Sequence, residues 1–519
     1  MYKIKIPSFL LCLLFVFQLG AQSYTLEGIS SVSSNGIKPI MNGKEVSGYV
    51  VFYKKDKKDS KNDNYGFDLV DEKLNKVSSV KVVLPTGSVF LQSVYNGEAL
   101  GLMFYDPYKR NYIFKSYDKK LTLLGSRITE KPNKWEQATL NQMDGADTDE
   151  VFYFYGIRPV PGKGFVRTGY GKSSDQFKVT MYDNNFKEKW AYETPKTAKG
   201  YEVFMLSDIN TQYVTGMTLR RNGLLSHKFD FFLTIFNADT GEKMVDVSVE
   251  KPNQNLSISA TILQEGSDEL MLQGEFYDMD AKPMVHKSKG FYLKTFELKT
   301  GKETGEHLYS WDKDVAKLFD AKAKESIEDK YLNYPLSLFK TANGHFYMVF
   351  EQYKKVADGA GIAMRALGGE TSVAKVKVGN MWLLEMDADL NPLAIQYYEK
   401  DGSSVKLPPG TDMAGTGLAG FVIKWIGGFD YQFLQQSNDG AAFNIAYINY
   451  DREKGSKTKT IVGNIFLPKD GTLSFDKVDI TAPKNTVFYL YPAQGNAVMV
   501  SQFLKKEKTL EFKLVKLNY

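Results

Sequence analysis

Apolar and polar residues alternate along this chain in runs of five to nine, and the runs come in pairs joined by an acidic or polar turn. The phrase reads FDLVDEKLNKV at Phe67–Val77, FKSYDKKLTLL at Phe114–Leu124 and VTMYDNNFKEKW at Val179–Trp190. It returns at Leu233–Val245, Leu293–Gly305, Leu383–Ala394 and Ala446–Thr458. A period of two, rich in aromatic and β-branched residues, marks strands that bury one face. A hairpin recurring along one chain marks an array of small sheets.

The clearest unit runs from Ser88 to Ile128. It holds SVFLQSVY, an Asn96-Gly97 turn, EALGLMFY, the loop DPYKRN and the Asp118 phrase. Asn-Gly is the turn a two-residue hairpin prefers. Four antiparallel strands in about 45 residues have the size and plan of a propeller blade. The same plan fits Asp149–Thr194, Tyr201–Glu250, Leu256–Trp311, Pro335–Lys400 and Phe421–Leu467, and Val46–Leu84 remains near the start. The last stretch, Thr486–Tyr519, offers three strands, and SYTLEG (Ser23–Gly28) offers a lone one. Pairing these would close the ring and remove its open edges. The expectation is one all-β domain over 22–519, a β-propeller of eight four-stranded blades. Seven is the alternative, because the innermost strand of the first blade, near Gly36–Ile40, is poor. Val315, Phe319, Ala323, Ile327 and Tyr331 recur every fourth residue and predict one inserted amphipathic helix over 312–332.

In a propeller the turns between strands one and two and between three and four share one face. The remaining connections share the other. Here the first set is short (Asn96-Gly97, Ile209–Thr211, Asn343-Gly344, Asn438–Gly440). The second is long and irregular (Asp106–Asn111, Arg220–Lys228, Tyr277–Gly290, Tyr353–Val378). Insertions gathered on one face of a repeat array mark a binding face. Tyr108, Arg110, Arg220, Arg221, Tyr277 and Arg365 fall there, with Tyr105 and Tyr112 beside them. Arginine forks and tyrosine rings suit a carboxylate, a sugar or a peptide. Two Gly/Ala-rich segments, Asp358–Glu370 and Leu407–Gly420, lie on the same face. Neither has the strand–loop–helix spacing of a phosphate loop. Asp144, Asp147 and Asp149 stand within six residues of one link. They are either a candidate Ca2+ site, since calcium takes oxygen ligands, or an acidic surface loop.

The start of the chain changes the picture of where it works. Lys3 and Lys5 precede an apolar run from Phe9 to Leu19, followed by Gly20 and Ala21. That order predicts a signal peptide cleaved after about Ala21, too short to be a transmembrane segment. The run FQLGAQS resembles export signals of Bacteroidota-type Gram-negative bacteria. Cys12, the sole cysteine, falls within the signal, so a mature chain would have neither disulfide nor thiolate chemistry. With 66 basic and 61 acidic residues, mostly scattered, nucleic acid is not an expected partner.

Catalytic signatures are sparse. His227, His286, His307 and His345 form neither HExxH nor an H-x-H pair, and no G-x-S-x-G elbow occurs. Signal segment and blade phrase together resemble the uncharacterised exported propeller-like proteins of Bacteroidota, a resemblance that transfers no catalytic residue. The functional expectation is a periplasmic, cell-surface or secreted binding or scaffold protein, taking an envelope protein, peptide or glycan on its long-loop face. A carbohydrate-active enzyme using Asp106, Asp278 and Asp280 is the alternative.

Overall fold

A computed structural model describes residues 23–32, 36–129, 132, 156–171, 173, 176–196, 201–221, 230–263, 267–283, 285–319, 324, 331–368, 371–407, 415–451, 459–468, 472–480 and 486–517. Within these, eight antiparallel sheets follow one another along the chain. Blades 1 to 4 span 37–85, 89–128, 157–193 and 201–248; blades 5 to 7 span 256–310, 332–406 and 431–480. Blade 8 takes three strands from 486–516, and its outermost strand is Ser23–Leu26 from the other end of the chain. Ser23 to Leu26 pair with Lys513 to Leu510, and the ring is closed.

The weak strand near Gly36 does form: Ile37–Asn42 pairs with Glu45–Lys57, so the blades number eight among the described residues. Two sequence expectations are corrected. Blade 7 begins at Tyr431, not Phe421, because Phe421 belongs to a helix, and its fourth strand, Ser474–Ile480, lies beyond Leu467. Among its described residues, the segment after blade 5 is not one unbroken helix starting at 312. A π-helical turn (Trp311–Val315) and a 3-10 turn (Ala316–Leu318) end at Phe319, whose backbone is extended. Val315 and Phe319 are nonetheless buried, in the core shared by blades 5 and 6. The apolar spacing matches burial at Val315 and Phe319, and the helical turns stop where the Phe319 backbone becomes extended.

The core lies between blades. Phe52, Phe67, Phe104 and Leu121 fill the space between blades 1 and 2, and Phe291, Phe350 and Trp382 that between blades 5 and 6. The Phe350 and Trp382 rings stack with centroids 4.0 Å apart. Aromatic faces bury large areas at fixed ring geometry, so they set the spacing of adjacent sheets.

The repeated acidic phrase has a definite job. In blades 1, 2, 3 and 6 the aspartate ending the third strand folds over its own turn. Oδ1 of Asp71 accepts from the N–H groups of Lys73 and Asn75 at 3.0 and 2.7 Å. Asp118, Asp183 and Asp387 do the same for their turns. The residue three places on, Leu74, Leu121, Phe186 or Leu390, takes a positive φ of 58–65°. An L side chain there is unfavourable by about 1 kcal/mol or more. Each of these side chains is buried against the preceding blade, and that burial offsets the strain. Blades 4 and 5 place glycine at the left-handed position instead, Gly241 at φ 74° and Gly301 at φ 68°.

Candidate functional site

Among the described residues, the long-loop face carries its most elaborate structure on blades 5 to 7. The second strand of blade 6, Phe346–Ala357, and the third, Ala374–Met386, outrun the blade body. The fourth strand, Pro392–Tyr398, pairs only with Met381–Met386, and a separate edge strand, Ser403–Lys406, pairs with Lys375–Val378. The result is a three-stranded arm. Helix α1 (Gly359–Ala366) caps its tip, and helix α2 (Thr416–Trp425) follows it in the link to blade 7. Both Gly/Ala-rich segments are thus partly helical. Ala419, Val422 and Ile423 of α2 pack against Tyr353, Val376 and Val378 on the inner face of the arm. A Cβ on Gly420 would meet the Tyr353 ring at 2.6 Å, so glycine there lets helix and arm touch.

At the root of the arm is a buried charge cluster. Lys400 Nζ lies 2.6 Å from Glu351 Oε1 and also contacts Asp430 Oδ2; the Lys400 and Glu351 side chains are wholly inaccessible. Ser403 donates to Asp430 Oδ1 at 2.8 Å. The N–H groups of Asp430 and Tyr431 donate to the Glu351 carboxylate at 3.2 Å each. Burial raises the Glu351 carboxyl to about 7, although Lys400 pulls it down. Burial alone would lower the Lys400 ammonium, but the two acids hold it above its ordinary value. The cluster ties the end of blade 6 to the start of blade 7.

A second acid faces the same side. Glu275 ends the second strand of blade 5 and is half-buried. Ser288 donates to its Oε1 at 2.7 Å and Tyr277 to its Oε2 at 2.9 Å. Trp311 Nε1 in turn donates to Ser288 Oγ at 3.0 Å. Burial pushes the Glu275 carboxyl up, against the pull of its two hydroxyl donors. Neither Glu275 nor the Glu351 cluster was singled out from sequence. The available signal was a carboxylate inside an apolar run, in LQGEFY and MVFEQY.

The sequence candidates spread over four blades. Tyr108 and Arg110 lie exposed in the blade 2 loop, with Arg110 at φ 53°. Tyr105 and Tyr112 beside them are buried, their ring centroids 5.9 Å apart. Arg220 ties two strands of its blade together. It donates to Glu202 at 3.0 Å and to Asp246 at 2.6 Å, and it lies 3.9 Å over the Phe232 ring. Arg221 is half-buried at the end of the same strand. Tyr277 is buried and spends its hydroxyl on Glu275. Arg365 is exposed on α1.

Of the alternative acids, Asp106 is buried and caps its own loop, accepting from the N–H groups of Tyr108 and Lys109. Asp278 is exposed and pairs with Lys289 at 2.7 Å, and Asp280 is exposed in the same loop. Asp144, Asp147, Asp149, His227 and the segment 1–21 lie outside the described residues. Among the described residues no group of three or more His, Cys, Asp or Glu is placed to hold a metal, and no helix is long and apolar enough to cross a membrane.

Solved structures of other proteins are distantly similar. A prolyl endopeptidase shares 9% identity over 91% of this chain and 55% of its own, with a TM-score of 0.39. This chain thus spans about half the length of that enzyme. An ulvan lyase of polysaccharide lyase family PL25 shares 11% identity over 82% of this chain and 91% of its own, at 0.37. The β-propeller domain of the Trilobed protease from Pyrococcus furiosus shares 11% over 75% and 98%, at 0.32. Among curated protein sequences, none matches. One family model does, over residues 1–518, and the chain belongs to that family: DUF6770, a family of unknown function.

Proposed function

We propose that this chain is an exported, non-enzymatic binding or scaffold propeller that takes a protein, peptide or glycan ligand on its long-loop face. The observation that carries the reading is the contrast between the two faces. On the short-turn face, aspartates such as Asp71, Asp118 and Asp387 are consumed by their own turns. The long-loop face instead builds an arm and two helices on blade 6 and presents Met279 and Val285, both exposed, on blade 5. Contiguous apolar exposure beside polar groups is what ligand and partner surfaces display. Glycoside cleavage needs two carboxyl groups converging on one bond. Asp106 is committed to its loop on blade 2, whereas Asp278 and Asp280 share a loop on blade 5.

The test is affinity capture of the mature chain from its host's envelope, run beside a glycan array. A stoichiometric protein or a defined glycan is expected, lost when residues 278–287 are replaced by a short turn and reduced by Glu275→Gln. Cleavage of a polysaccharide by the pure protein, or no ligand on either platform, would overturn the reading.

A further inference from the structure

The arm of blade 6 has two unlike faces. Tyr353, Ala374, Val376, Val378 and Leu407 point inward, onto α2. Strand alternation sends their neighbours the other way, and four of those neighbours are lysines. Lys354 stands directly opposite Lys377, and Lys375 directly opposite Lys406. Like charges in register on adjacent strands repel, so two such pairs side by side are a cost to the sheet. Asp358, at the foot of α1, lies 3.6 Å from Lys406, and Lys354 sits 5.4 Å from the centre of the Tyr331 ring. Lys375, Lys377 and Lys406 make this face basic.

At the tip, α1 is unlike a packed helix. Of its eight residues only Gly361 is buried. Ile362, Met364 and, just past its end, Leu367 are 47%, 57% and 85% exposed. A helix this short is not stable by itself in water and normally depends on a buried apolar side. Here the paired strands below hold it up, with its apolar side chains in solvent.

We infer that this arm docks the protein onto an anionic lipid surface, with Ile362, Met364 and Leu367 entering the headgroup boundary and the lysine face lying against phosphates. Exposed apolar side chains beside a basic face are the chemistry of interfacial attachment. A lipid layer offers diffuse negative charge, which suits lysines set side by side. A protein partner would need aromatic or arginine anchors, and α1 supplies one arginine and no aromatic residue. The ligand reading shares this long-loop face, but its test replaces the blade 5 loop and leaves the arm intact.

Flotation of the full mature chain with vesicles tests it. Vesicles of phosphatidylcholine containing 30% phosphatidylglycerol are compared with phosphatidylcholine alone. Binding to the anionic vesicles is expected, with loss at high salt. A lysine near such a surface contributes about fivefold, so Lys375→Glu with Lys377→Glu should lower partitioning by about 20-fold or more. Ile362→Ser, Met364→Ser and Leu367→Ser together should lower it as well. All five positions are exposed or half-exposed, and an unchanged melting temperature verifies that the variants fold. No binding to anionic vesicles, equal binding to neutral ones, or binding indifferent to both sets of substitutions would overturn the inference. So would retention on immobilised heparin without vesicle binding. If vesicle binding fails while the captured ligand remains, only the lipid inference falls.

Discussion

The Tyr24 hydroxyl donates a 2.7 Å hydrogen bond to Oδ2 of Asp68, joining the strand that closes blade 8 to the third strand of blade 1. Asp68 is fully buried and also accepts from Tyr53 at 3.1 Å and from Ser79. Tyr49 adds a second link between the same blades, donating to the carbonyl of Pro492 at 2.9 Å. The seam of the ring is therefore held by side chains as well as by strand pairing. Tyr24→Phe removes one donor to a buried carboxylate and should lower stability by about 1.5–3 kcal/mol. The shift in urea midpoint measures it, and an unchanged midpoint would mean the bond is dispensable.

The left-handed leucines make an inverted prediction. Leu121 has φ 61° and a buried side chain. Leu121→Ala keeps the strained backbone and loses the packing, at about 2–5 kcal/mol. Leu121→Gly loses slightly more packing but relieves the strain, by about 1 kcal/mol. The glycine variant should therefore be the more stable of the two, although it removes more of the side chain. Thermal melts of both would show the order.

The buried cluster at the arm's root should make stability depend on pH. The folded-state carboxyl of Glu351 sits near 7, above its ordinary value of 4.5. Its contribution is thus fully present below about 4.5 and is lost as pH rises through about 7. Glu351→Gln should flatten the decline between pH 5 and pH 8. Lys400→Met would leave two buried acids without a counter-charge and cost about 3–5 kcal/mol at pH 8. Denaturation series at the two pH values distinguish these outcomes.

Glu306 works in the opposite direction. Despite its partial burial, the donors Gln254, Lys251 and Lys294 hold its carboxyl at about 2. Lys294, with no exposed side-chain surface, reaches Glu306 at 3.0 Å and the Val249 carbonyl at 2.8 Å. The stability this contributes is present above about 4.5 and falls away as pH drops toward 2. Glu306→Gln should lower stability above about pH 4.5 and shallow the acid arm of the pH–stability curve.

Arg220 separates structure from recognition. Its guanidinium spans Glu202 and Asp246 within blade 4 and is one-quarter exposed, so Arg220→Met should cost only about 1 kcal/mol after solvent screening. The melting temperature should drop slightly while ligand capture is unaffected. Loss of capture would return Arg220 to the binding surface.

The ring was legible because its signals are local. Asp71, Asp118, Asp183 and Asp387 sit at fixed distances from alternating runs, and the turn chemistry follows from neighbours in sequence. The closing strand was legible because three strands at one end required a fourth. The cluster of Glu351, Lys400 and Asp430 was not, since its members come from three segments that meet only when blades 6 and 7 pack. The ion pairs of Arg220 were not legible either, because Glu202 comes opposite it only when the first two strands of blade 4 pair. Helix α1 escaped notice because its glycines and alanines read equally well as an irregular loop.

Ser23 and Lys513 are partners across nearly the whole length of the chain. Their pairing needs the final strand, so a chain emerging from synthesis carries seven sheets' worth of structure with its ends still apart. Until then the strand Thr509–Lys516 has an unpaired edge, and such edges invite pairing with other molecules. Contacts this distant in sequence also form slowly, because loop closure must precede any gain. Removing Ser23–Leu26 would therefore harm yield and solubility more than the loss of four residues from a finished ring would suggest.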